Sequence, residues 1–112
     1  MHLDITPEVL VAQLDLGHGK NTLNQTKIAM DNTKEFEKFS KHIISLNDKL
    51  KHMNAYIGLS NTHDYFKIKC DDRDSKQIIK EFEEEIIHWS NKYDVELRKV
   101  DDKDVYYIIG RN

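Results

Sequence analysis

Two apolar stripes at helical spacing constrain this chain more than any other feature. Phe36, Phe39, Ile43, Leu46, Leu50 and Met53 recur at alternating intervals of three and four, and Ile79, Phe82, Ile86, Trp89 and Tyr93 repeat the pattern. Side chains so spaced share one side of an α-helix and are buried together. Each stripe is followed by two short segments with the period of a strand. Ala55–Leu59 and residues 65–70 flank Ser60-Asn61-Thr62-His63-Asp64, a polar loop of hairpin length. In the second of these strands Phe66, Ile68 and Cys70 point one way and Tyr65, Lys67 and Lys69 the other. Near the C-terminus, Val95 and Leu97 share one face, Val105, Tyr107 and Ile109 share one face of the partner, and Asp101-Asp102-Lys103 supplies the turn. The expected architecture is α+β: a two-layer sandwich in which an antiparallel four-stranded sheet, made of two hairpins, carries two long amphipathic helices on one face.

Local signals refine this outline. Asn32 followed by Glu35 has capping-box spacing, and Ile28 and Ala29 extend the pattern back, so the first long helix is expected to begin between Thr26 and Asn32. Asp74 or Ser75 caps the second, with Ile78 and Ile87 broadening its stripe and Glu81, Glu83, Glu84 and Glu85 mainly toward water. At the N-terminus, Thr6-Pro7-Glu8 combines a hydroxyl cap, a proline where an N–H is dispensable and an acid in the first turn, with Gly17 as the stop. Leu10, Ala12, Leu14 and Leu16 also alternate as a strand does, and a strand over residues 9–16 makes the fold ferredoxin-like. A helix there is the preferred reading, followed by a loop over residues 17–25. The 112 residues are expected to form one domain, in which residues 1–25 precede a helix–hairpin–helix–hairpin core over residues 26–112.

Composition then narrows the function classes. Seventeen Lys and Arg against twenty Asp and Glu give a net charge of −3, which argues against bulk electrostatic binding to DNA or to an anionic membrane but permits a local basic patch. Apolar runs such as Val9-Leu10-Val11-Ala12 are too short to span a bilayer. Cys70, the single cysteine, has no partner for an intramolecular disulfide, and its alternation with Phe66 and Ile68 marks it as a small buried residue. A reducing, cytoplasmic setting is expected.

Candidate chemistry is sparse. Gly17-His18-Gly19-Lys20-Asn21-Thr22 resembles a phosphate cradle only in part: a P-loop needs glycine where Leu14 stands and a hydroxyl where Asn21 stands. Gly17, Gly19 and Lys20 remain candidates for weak anion binding, and a small-ligand sensor or an enzyme built on that loop is the third functional reading. The six histidines, His2, His18, His42, His52, His63 and His88, include no His-x-x-x-His pair, so no metal site is expected. No Gly-x-Ser-x-Gly elbow is present, no cofactor motif stands out, and a non-catalytic protein is the favoured expectation.

The sheet face turned away from the helices is the most informative surface. Alternation assigns it Tyr56, Gly58, Tyr65, Lys67, Lys69, Glu96, Arg98, Val100, Tyr106 and Ile108. Tyrosines and cations among aliphatics make an unusual solvent face and match the composition of an interface. The leading functional expectation is an interaction or regulatory module that binds a protein partner, or itself as a homodimer, with Tyr56, Tyr65, Tyr106 and Ile108 as contact area and Lys67, Lys69 and Arg98 as orienting charges. Single-stranded RNA is the first alternative on the same face, because aromatics on a sheet stack unpaired bases. A competing possibility is that the N-terminal segment folds over this face and buries it.

Overall fold

The computed structural model describes residues 5–17, 20–60, 63–71, 75–101 and 103–112. Helix α1 (Pro7–Leu14) starts where the sequence indicates: Thr6 Oγ1 accepts from the Val9 N–H at 3.2 Å, and Pro7 occupies the first turn. The helical alternative is therefore realised for this segment, and the ferredoxin-like arrangement that a strand over residues 9–16 would have produced is not formed. Leu10 and Leu14 enter the common core, so α1 joins the helical layer instead of covering the far face of the sheet.

Residues 20–25, expected as loop, belong to helix α2 (Lys20–Asn32). Its inward stripe is made of small and hydroxylated residues. Thr26, Ala29 and Thr33 are buried, while Leu23 and Ile28 are each 40% exposed. Thr26 and Thr33 satisfy their hydroxyls on the carbonyls of Thr22 and Ala29, four residues back, so no polar group is stranded by the burial.

The first long stripe is buried as expected, but on a broken backbone. A 3₁₀ turn over Phe36–Lys38 leads into helix α3 (Ser40–Leu50), which ends in a second 3₁₀ turn over Lys51–Met53. No capping box forms: Asn32 closes α2 and sends its side-chain amide to the Asp64 carbonyl, and Glu35 adopts a left-handed conformation with φ 53°. The break is set by a long-range contact, since the Lys34 backbone lies in parallel register beside Gly110 and Lys34 O accepts from Arg111 N at 2.9 Å.

Strands β1 (Ala55–Leu59) and β2 (Phe66–Cys70) form the first hairpin. Ser75 caps helix α4 (Lys76–Tyr93), its Oγ accepting from the Ile78 N–H, while Asp72, Arg73 and the alternative cap Asp74 lie outside the described residues. Strands β3 (Val95–Lys99) and β4 (Val105–Arg111) complete an antiparallel sheet ordered β1-β2-β4-β3. β2 and β3 thus run parallel on either side of β4, joined by α4, a split βαβ unit. Between Glu96 and Leu97 the register steps from Gly110 to Ile108, so Ile109 is passed over in a bulge.

One core lies between the sheet and the helices. Phe36 stacks on Phe66 at 5.5 Å and meets Phe39 edge-on, and Phe39 in turn meets Trp89. Such aromatic pairs each contribute about 1 kcal/mol beyond the area they bury. Trp89 Nε1 donates to His42 O at 3.1 Å, tying α4 to α3. Ile87, expected to widen the α4 stripe, is instead 51% exposed.

At Gly110 φ is +146°, and a Cβ built there would lie 2.6 Å from Lys34 N. Gly110→Ala is expected to lower stability by about 2–3 kcal/mol in urea unfolding, through backbone strain together with displacement of Lys34. The His42 ring stacks on Tyr93 at 3.8 Å, and burial, then Lys41 and Lys92, hold its pKa below the ordinary value. A folded-state pKa lowered in this way favours the neutral ring, so the fold loses stability as the pH falls below about 6.5. His42→Phe should flatten that part of the stability–pH curve measured by thermal melting.

Candidate binding face

The open face of the sheet is built by alternation and then fixed by register. Tyr56 of β1, Lys67 and Lys69 of β2, and Arg98 of β3 lie on it as the sequence indicates, with Tyr65 just ahead of β2. Tyr106 and Ile108 do not. They pair with Ile68 and Phe66 and point into the core, at 9% and 0% exposure. The Tyr106 ring approaches Phe82 of α4 at 6.1 Å, and burial, followed by the nearby charges of Glu83 and Asp104, raises its pKa. The open positions of β4 are Val105, Tyr107 and Ile109, the set that alternation had suggested for the core. Every residue from Val105 to Ile109 is apolar or aromatic, so the period of two is present in either phase and only the pairing partners select one.

The register creates a row across all four strands: Gly58, Lys67, Tyr107 and Arg98 are successive neighbours. Beside it run Tyr56, Lys69 and Val105. The Tyr56 ring lies over Gly58, only 3.2 Å from where a Cβ would stand, and the Lys67 Cε lies 3.8 Å from the same point. Gly58 is buried by these two side chains, which replace the side chain it lacks. At the other end, Tyr65 and His63 gather around Tyr107, with ring centroids 6.1 and 5.1 Å away, and the Tyr107 hydroxyl is 3.3 Å from His63 Nδ1. Lys69 forms a 3.5 Å ion pair with Asp71. The face therefore carries three tyrosines, a histidine, two lysines, an arginine and the exposed Glu96 around an apolar strip.

The anion-binding candidates do not assemble into a comparable site. Gly17 has φ +123°, Lys20 opens α2, and His18 and Gly19 lie outside the described residues, as does His2. Cys70 is buried, with Sγ 3.6 Å from the Met53 carbonyl. Among the described residues no three His, Cys, Asp or Glu side chains gather in a group fit for a metal ion, and no helix is long and apolar enough to cross a membrane. A cavity of about 120 Å³ lies between α2 and the first hairpin, lined in part by Gln25, Ser60, His63 and Tyr65. Its rim at His63 and Tyr65 continues into the open face.

Comparison with models of known protein families, with curated proteins and with solved structures finds no match to this chain. The inversion within β4 has a direct energetic test. Tyr106→Ala should cost about 3 kcal/mol of stability in urea unfolding, as expected for removal of a core aromatic. Tyr107→Ala, on the open face, should cost about 1 kcal/mol or less.

Proposed function

We propose that this protein is a non-catalytic interaction module of a cytoplasmic setting, binding a protein partner through the open face of its sheet. The observation that carries this reading is the row in which Tyr107 sits between Lys67 and Arg98, backed by Tyr65, Tyr56, Val105 and Ile109. Tyrosine and arginine supply much of the energy of protein interfaces, because each combines a large contact area with a polar end. The tyrosines and aliphatics would provide the contact area. The cations would orient a partner that presents an apolar centre with acidic groups around it, despite the net negative charge of the whole chain.

The same row supports a second reading. A tyrosine between two cations on a four-stranded sheet suits a stacked base with its flanking phosphates, which is how single-stranded RNA is held on such surfaces. The two readings separate by salt dependence, steep for RNA and shallow for an apolar protein contact.

Recovery of the tagged protein from its native extract, with and without nuclease, tests both. A stoichiometric protein partner that survives nuclease, and whose affinity drops about tenfold or more with Tyr107→Ala, is the expected result. Material lost on nuclease treatment favours RNA. Recovery of the chain alone, or a partner insensitive to Tyr65→Ala and Tyr107→Ala in folded protein, overturns the open-face reading.

A further inference from the structure

β3 is an outer strand, and its backbone is only partly engaged on the outer side. Val100 N donates to Val105 O, and Asp94 O accepts from Asn112 N. By alternation, the N–H and C=O groups of Asp94, Glu96, Arg98 and Val100 face β4, and those of Val95, Leu97 and Lys99 face away. Val95 O is met by Ser90 Oγ at 3.0 Å, whereas among the described residues no hydrogen bond reaches the outward main chain of Leu97 or Lys99. The opposite margin differs. The outward N–H of Ile57 in β1 is taken by the buried Asn47 Oδ1 at 2.9 Å.

We propose that β3 pairs antiparallel with β3 of a second copy of this chain, about a two-fold axis at Leu97. Two-fold registers centred on Glu96, Leu97 or Arg98 all bring outward N–H and C=O groups opposite one another. Centring on Glu96 or Arg98 sets two like charges directly across the axis, which is destabilising. Centring on Leu97 sets Glu96 of each copy against Arg98 of the other, twice, in the non-hydrogen-bonded pairs where opposed Cα atoms are only about 4.5 Å apart. Neither Glu96 nor Arg98 has an ion-pair partner within the chain among the described residues. On the helical side the two half-buried Leu97 side chains meet at the axis. Charge complementarity thus selects both the partner, an identical strand, and the register. The pairing joins two open faces into one eight-stranded surface, and it stands whether or not the face binds the partner class proposed above.

Two five-residue strands make a small contact, below the area of a stable obligate dimer, so association is expected at about 0.1 mM and above. Sedimentation equilibrium between about 0.05 and about 1 mM should show a monomer–dimer equilibrium. In the same range, hydrogen exchange followed by NMR should show the Leu97 and Lys99 amides gaining protection with concentration, while those of Glu96 and Arg98 stay protected throughout. E96R and R98E should each weaken the dimer about tenfold or more, and the E96R/R98E double variant should regain it. A chain that stays monomeric at 1 mM overturns the proposal. So does a dimer that leaves exchange at Leu97 and Lys99 unchanged, or one that ignores the single reversals. A folded double variant that fails to reassociate removes the Leu97-centred register. The exchange measurement on the unaltered chain decides the matter even where a charge-reversed variant does not fold.

Discussion

The arrangement depends on a close backbone contact between residues 76 positions apart in the chain. Lys34 lies where a side chain on residue 110 would have to be, and its main chain extends the margin of β4 beyond the end of β2. A backbone committed to a sheet cannot also continue a helix, so α2 must end and the chain must turn through Glu35 in a left-handed conformation. Phe36 is thereby delivered onto Phe66, and from there Phe39 and Trp89 extend the contact to α3 and α4. The Asn32 amide, at the end of the same segment, anchors the first hairpin at Asp64. One glycine without a Cβ thus sets the approach of the helical layer to the sheet.

What the sequence made legible was whatever rested on local periodicity. Both apolar stripes, the Thr6 and Ser75 caps, the two hairpins and the inward position of Cys70 all follow from spacing within a few residues. Helix α2 was hidden because the buried positions along it and just past its end are Thr26, Ala29 and Thr33, residues that a hydrophobic pattern does not register. Their hydroxyls need no outside partner, since the carbonyl one turn back accepts them. The break near Glu35 was hidden for a different reason: its cause, Gly110, stands at the other end of the sequence.

The candidate face shows the same division between local and distant information. Lys67, Lys69 and Arg98 sit in strands where apolar and polar residues alternate, so their side of the sheet could be read directly, and Tyr65 just ahead of β2 continues that phase. β4 offers apolar residues to both sides, and which tyrosine is buried is decided by Ile68 and Phe66 across the ladder. Exchanging Tyr106 for Tyr107 changes the chemistry of the surface more than its composition. Tyr107 falls in line with Lys67 and Arg98 and within reach of His63, giving the face an aromatic centre flanked by charge. The protein is acidic overall, yet this side of the sheet presents cations, while α4 carries Glu81 and Glu84 exposed on the other side.

Asn47 gives the sheet a direction. An amide from α3, buried beneath the first strand, uses up the central outward donor of β1. Fibrous aggregation by strand addition requires each unit to accept a neighbour at both margins, one ahead and one behind. With the central donor of β1 taken, the two margins are not equivalent, and strand addition at β1 is less favourable than at β3. A single polar side chain in the core thereby makes one margin of a small sheet a poorer template for a neighbouring strand than the other.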